Sequence, residues 1–344
     1  MIIRLALLVA CIAPALASAT VYTVSNLPGQ PAQFPTIQAA VDASSAGDTI
    51  YVTGSSVIYN EPVILNRRLT VIGPGYASPL SPSAHINQIL LDTIPSVSGG
   101  SGSKFIGLQL DQLYGYYSGV THTNITVERC HLQYVLIASG QTEPQSWTIM
   151  HCYIVGYLQC ATNGALTANI SNNIFYEPAS IGSAGLTSNV LISNNIFIGN
   201  GASTSFSDLN NAVISNNIFW GTTPVGTGMA NCAFNNNITY QTPDNNIPYG
   251  TNVGSGNLVG VNPQFTNAPT QELSFTYNYR LLPGSPGENA GTDGTDIGIY
   301  GGPSPMPNQT GVPRIPTVTQ FILENTTIGE GGSLNVQLKA RKND

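Results

Sequence analysis

Charge is what this chain has least of. Its 344 residues include only 10 Lys and Arg and 17 Asp and Glu, for a formal net charge of −7. So few cations cannot drive binding to nucleic acid by counterion release, and they offer little to an anionic surface. Lys and Arg are missing altogether between Arg129 and Arg280. Cysteine is sparse as well, five in all with no Cys-x-x-Cys, which argues against a thiolate metal site. Beyond the N-terminus no stretch approaches the ~20 apolar residues that a membrane-spanning helix needs. Helix-forming stretches are absent from 105–265. Low charge with much Asn, Ser, Thr and Gly could describe a disordered chain, but 42% hydrophobic content and an ordered repeat exclude that.

The repeat sets the fold. Cys130, Cys152, Asn173, Asn195, Asn217 and Asn237 form one column, with steps of 22, 21, 22, 22 and 20 residues. Three positions earlier stand Val127, Ile149, Ile170, Ile192, Ile214 and Phe234; two positions later stand Leu132, Ile154, Phe175, Phe197, Phe219 and Thr239. The string Ile-Ser-Asn-Asn-Ile-Phe recurs at 170–175, 192–197 and 214–219. One such unit cannot bury its own apolar face, so the stack of copies is the core. Short β-branched and aromatic runs, broken by Asn, Gly, Ser and Thr, predict strands with tight turns. Each unit is then one rung of an all-β parallel solenoid, paired with its neighbours at about 4.8 Å. One Asn of each Asn-Asn pair points inward as a ladder and the other takes a left-handed bend; both roles suit either residue.

The ends carry other signals. Residues 1–19 read as a signal peptide, with Arg4, the apolar run Leu5–Ile12, and Ala17-Ser18-Ala19 as the cleavage site. A lipoprotein signal at Cys11 is the competing reading. Either one places the protein outside the cytoplasm, secreted or at the cell surface. In an exported protein, Cys130 and Cys152, stacked one rung apart, lie within reach of a disulfide; two buried thiols fit equally. After a Pro-rich break, Thr319–Leu323 and Leu334–Leu338 alternate around Gly329–Gly332 and predict a C-terminal β-hairpin.

Four segments carry a family resemblance. "FPTIQAAVDASSAGDTIYV" (34–52), "LTVIGPG" (69–75), "NPQF" (262–265) and "YRLLPGSPGENAGTDGTDIGIYGG" (279–302) resemble the opening cap, an early rung and the closing segment of secreted bacterial right-handed parallel β-helix proteins, the pectate-lyase-like superfamily. The resemblance implies a right-handed β-helix over 20–302 with a short N-terminal capping helix. A Pro-rich linker and hairpin tail follow over 303–344. It also implies a choice of activities, because binding proteins, adhesins, lyases and hydrolases share these motifs. Its lyases cleave acidic polymers with a basic residue and Ca2+ held by carboxylates. The run without Lys or Arg leaves Lys104 and Arg129 as the basic candidates, and no cofactor is expected.

The candidate catalytic residues are few. Arg129 and His151 share the column just before the marker, one rung apart, with Glu128 beside them; that set could supply an acid–base pair or mark a local irregularity. Asp92 and Asp111 are the one carboxylate pair that irregular early rungs could bring together. The columns on either side of the inward +2 position should face out. They hold Tyr153, Tyr176, Trp220 and Tyr240, an aromatic stripe suited to sugar rings unless a loop or the tail covers it. The expectation is therefore a secreted, non-catalytic β-helix protein presenting a flat side to a polysaccharide or cell-surface glycan. A polysaccharide lyase or glycoside hydrolase of the same superfamily is the first alternative, and a structural or adhesive rod the second.

Overall fold

The computed structural model describes residues 19–342 apart from 92–98, 116–121, 138–144, 161–165, 177–179, 184–187, 202 and 326. Residues 1–18 of the expected signal peptide, Cys11 among them, and Asp92 lie outside the described residues.

Two long parallel sheets coil together into a β-solenoid. Ten strands stack in the first sheet, from Val21–Val24 to Ala233–Asn235. Nine stack along the second, from Val63–Leu65 to Ile238–Tyr240, with Ser180–Ser183 and Phe206–Ser207 attached at its flank. The rungs stack in the register read from the repeat: Ile170 pairs with Ile192 and Ile192 with Ile214. All three are fully buried, as are Val127, Ile149 and Phe234 in the same file. On the second sheet Phe175, Phe197 and Phe219 stack face over face, with centroids 4.5 and 5.0 Å apart and planes within 15°. Stacked rings of this kind add about 0.5–1.5 kcal/mol per pair beyond their burial. The helix Ile37–Ala43 plugs one end of the stack. Thr36 caps it by accepting the Ala39 N–H at 3.2 Å, and Ile37, Ala40 and Val41 are its buried stripe. The strand Val21–Val24 precedes this cap and adds a rung the repeat does not reveal.

The second Asn of each pair is the inward one. The Asn195 backbone N–H donates to Asn217 Oδ1 at 2.9 Å, and its Nδ2 donates to the same oxygen at 3.0 Å and to the Ile170 carbonyl at 2.9 Å. Its own Oδ1 accepts from Asn173 in the same way. The pattern repeats at Asn217 and Asn237 and ends on Asn257. Both polar atoms of the Asn173, Asn195, Asn217 and Asn237 side chains are thus satisfied by the rungs above and below, the condition under which burying an amide costs little.

The two cysteines extend this ladder as thiols. Cys152 donates its N–H to Asn173 Oδ1 at 2.9 Å, and Cys130 donates its own to Cys152 Sγ at 3.4 Å. Cys130, Cys152, Cys160 and Cys232 are all buried and free. A disulfide between Cys130 and Cys152 is not formed; their sulfurs face backbone carbonyls instead, those of Glu128 at 3.3 Å and Met150 at 3.2 Å. Burial pushes the Cys160 thiol up to about 12. Among the described residues no helix is long and apolar enough to cross a membrane.

Two outcomes are expected. Asn195→Ala leaves the Asn173 backbone N–H without its acceptor and removes one bond each from Asn173 Nδ2 and the Ile170 carbonyl; it should lower stability by about 2 kcal/mol or more, read as a urea midpoint, while the exposed Asn189→Ala should stay within about 0.5 kcal/mol. Titration with a thiol reagent should find these four cysteines silent in the native protein and all reactive in denaturant; two equivalents after unfolding would contradict free thiols.

Candidate functional site

The columns beside the inward files do face outward from the solenoid, but half of that face is covered. Past Asn257 the chain forms a small antiparallel pair, Phe265–Asn267 with Asn278–Leu281, and then runs back along the stack. Tyr279, Ile297, Ile299 and Met306 of this return segment pack onto Tyr153, Ile174, Ile196, Ile198, Ile218 and Ile238 as a second apolar core. The aromatic stripe expected to be open is therefore largely buried. Tyr153 is 0% exposed, its hydroxyl donating to Gln309 at 3.0 Å, and Trp220 is 6% exposed. Tyr176 and Tyr240 are half-buried against the same core. What remains open there is a cleft of about 400 Å3 lined by Trp220, Tyr240, Gln241, Gln264 and Phe265. The Trp220 Nε1 donates to Gln241 at 3.0 Å inside it.

The first residue of each pair holds the return segment in place. Arg129, His151, Asn172, Asn194, Asn216 and Asn236 all have φ between 51° and 58°, and Gly107 continues the column at 67°. The left-handed bend turns their side chains outward onto successive oxygens of the return segment. Asn236 donates to Ala290 at 2.8 Å and Asn216 to Thr292 Oγ1 at 3.1 Å. Asn194 reaches Gly298 at 3.3 Å, and Asn172 reaches Ile299 and Gly301 at 2.9 Å each. His151 Nε2 meets the Ser304 carbonyl at 2.8 Å, and Arg129 Nη1 donates to Val312 at 2.6 Å. Six rungs thus fasten one strap over 290–312, and residues 303–312 belong to it.

This resolves the Arg129, His151 and Glu128 cluster. Arg129 and His151 are each 1% exposed beneath the strap, where no substrate reaches them. Arg129 Nε donates to Glu128 at 3.1 Å, and His151 Nδ1 lies 3.7 Å from the same carboxylate. The His151 ring, then Arg129 and Arg314, hold the Glu128 carboxyl below its usual range against the pull of burial. The set is the charged end of the strap's fastening, not an acid–base pair facing solvent. Arg280 is likewise structural, its guanidinium 3.9 Å above the Tyr300 ring.

The open part of the outward face lies on the early rungs. His85–Leu91, Gln109–Tyr114, His131–Ile137 and Tyr153–Cys160 run side by side there. Their outward residues join rung to rung. His85 Nε2 meets Asp111 Oδ1 at 2.8 Å, Gln88 donates to Gln112 at 2.6 Å, and Tyr134 donates to Gln159 at 2.6 Å. Tyr114 and Tyr134 meet edge to face at 5.7 Å. Gln133, Tyr157 and Gln159 are exposed, Tyr157 by 52%. Asp111 therefore has a histidine partner; its pairing with Asp92 cannot be described. None of the His85, Gln88, Gln112, Tyr114, Tyr134 and Tyr157 positions was singled out from the sequence. Tyr157 shares the strand of Tyr153, and the others lie one to three rungs upstream in the same register.

Among the described residues no three His, Cys, Asp or Glu side chains group to hold a metal ion, and the Asp293 carboxylate accepts from Thr295 within its own turn. No family model matches the chain, and no curated protein matches it.

One titration follows from this layout. His131 stands where the cover ends, against Tyr76 and Phe275 at 6.1 and 6.2 Å. Burial first, and then His85, hold its ring below the ordinary histidine value of 6.5, with Asp111 opposing. A depressed histidine favours the fold fully above that ordinary value, and the benefit is lost as pH falls through the lowered one. Glu128 acts in a separate window, below 4.5. Urea midpoints should therefore fall between about pH 7 and about pH 5, and His131→Gln should flatten that slope; an unchanged slope would contradict the assignment.

Proposed function

We propose that the chain is an exported, non-catalytic β-helix protein of the pectate-lyase-like kind that binds an uncharged glycan along the open outward face of its early rungs. The observation that carries the reading is the set of Gln, Tyr and His files on that face. They repeat once per rung, at a spacing close to the length of one sugar ring. Flat aromatic edges and amide ladders are what hydroxyl-rich, uncharged polymers recognise. A net charge of −7 disfavours an acidic polymer, and none of the four strands of this face carries a Lys or Arg to meet a uronate carboxylate. Ca2+ has no part in this reading.

The His85–Asp111 pair favours a second reading, in which the same face hydrolyses the glycan. The two side chains are 21% and 30% exposed, so a carboxylate-polarised imidazole meets solvent.

Electrophoresis of the protein through gels containing neutral plant, algal or bacterial polysaccharides separates these readings. Retardation without product supports binding, and Tyr134→Ala and Tyr157→Ala should each weaken it by about tenfold while the largely buried Trp220 contributes little. New reducing ends that vanish in Asp111→Asn would establish the hydrolase, and new ultraviolet-absorbing unsaturated ends a lyase. Neither retardation nor product leaves a structural rod and ends the glycan proposal.

A further inference from the structure

Two outward files run side by side along the early rungs. One stacks Gln88, Gln112, Tyr134 and Tyr157; the other stacks Leu90, Tyr114, Leu136 and Gln159. Between them lies the inward file Ile89, Leu113, Val135 and Leu158, each 0% exposed. Residues two apart on a strand share a face, so the two outward files stand about 7 Å apart. An extra residue on the last of these strands, between Ile154 and Tyr157, brings Tyr157 opposite Tyr134 and Gln159 opposite Leu136, and so keeps both files straight. Neither file carries a charge.

The two files differ in period. The first offers a hydrogen-bonding group on every rung. The second alternates Leu, Tyr, Leu, Gln, so a polar group returns only on every second rung, after about 10 Å. The contacts between files weave with the same alternation. Tyr114 meets Tyr134 edge to face at 5.7 Å, and Tyr134 on the next rung donates back across to Gln159 Oε1 at 2.6 Å. That bond leaves the Gln159 amide nitrogen as a donor to the outside, and the Gln88 bond to Gln112 Oε1 at 2.6 Å does the same for Gln112.

A polymer that engages both files must run straight along the solenoid axis and advance one unit per rung. It must also return the same edge to the same side on every second unit. A β-1,4-linked chain of pyranose rings meets all three conditions. Its equatorial links keep it extended, and each ring is turned over relative to the one before. The α-1,4 and β-1,3 links curve a chain into a helix, which leaves a straight file within a few rings and has no two-ring repeat. We propose that the open face selects a neutral, β-1,4-linked ribbon laid along the axis, one ring per rung, over the four strands from His85–Leu91 to Tyr153–Cys160. The inference rests on the glycan reading above and narrows it to one linkage.

Calorimetric titration of the full chain with tetrasaccharides tests it. The probes are the β-1,4, α-1,4 and β-1,3 tetramers of glucose, with β-1,4 tetramers of mannose, xylose and N-acetylglucosamine beside them. The best β-1,4 tetramer should bind at least about tenfold more tightly than the α-1,4 or β-1,3 tetramer. Its affinity should rise with length to about four rings and then level off, because the files hold one ring per rung. Tyr114→Phe keeps the ring and removes only the hydroxyl, and should weaken the tetramer by about threefold or more with the urea midpoint unchanged. Leu136→Gln, which makes the alternating file polar on consecutive rungs, should bring no gain. A gain there would show that the number of polar groups, not their period, sets binding, and would overturn the inference. Equal affinity for the three linkages, a preference for α-1,4 or β-1,3, or retardation by a polysaccharide without binding of any tetramer overturns the ribbon and leaves the glycan reading standing. No tetramer bound and no polysaccharide retarding the protein ends both.

Discussion

A buried amide that can be satisfied only by its own copy one rung away governs this molecule. Asn195, Asn217 and Asn237 each take two bonds from the rung before, and give two to the rung after and one to the rung before. Slip the register by one residue and every one of these groups is left unpaired in the core, at about 1–3 kcal/mol each. The apolar files and the stacked Phe175, Phe197 and Phe219 would accept several registers. The ladder accepts one, so it supplies specificity where hydrophobic burial supplies stability. Cys130 and Cys152 show the limit of substitution: a small side chain can fill the position and receive an N–H, but it passes on a weaker bond.

The same dipeptide fixes the outside. Because the inward Asn ends one strand and begins the next, the residue before it must bend through a left-handed conformation. That bend costs Arg129 or His151 roughly 1–2 kcal/mol and costs Asn little. The bend aims that side chain away from the core, at the only region where a return segment can be fastened. The strap over 290–312 then shields the outward Ile and Trp files from water. One two-residue step therefore makes a ladder inside and a row of fasteners outside. The early rungs, beyond the strap's apolar cover, keep their outward face free, and there the outward residues change from Ile to Gln, Tyr and His.

This division explains what the sequence could and could not reveal. The period, the inward files, the cap helix and the hairpin are local or repeat with the rung, and all were legible. So was the outward direction of Tyr153, Tyr176, Trp220 and Tyr240. Their burial was not, because it depends on the return segment past Phe265, which carries no periodic signal of its own. Asn172 and Asn173 have the same side chain, so nothing in the letters distinguishes fastener from ladder; only the backbone angle does. Arg129 and His151 stand out in the sequence as a candidate acid–base pair because charge in a repeat column is rare. They occupy the fastener position where the strap needs longer reach. The Gln and Tyr files of the open face carry no such signal, because they lie on early rungs where the repeat is less regular.

Amide hydrogen exchange under increasing denaturant reads the central claim most directly. Asn173, Asn195, Asn217 and Asn237 donate their backbone N–H to a side-chain oxygen of the next rung, not to a backbone carbonyl. If that ladder holds the stack together, these four protons exchange only when the whole solenoid unfolds, with one common free energy and the global denaturant slope. Exchange of any of them by local opening, with a small slope and its own free energy, would show that the rungs are held in register by something else.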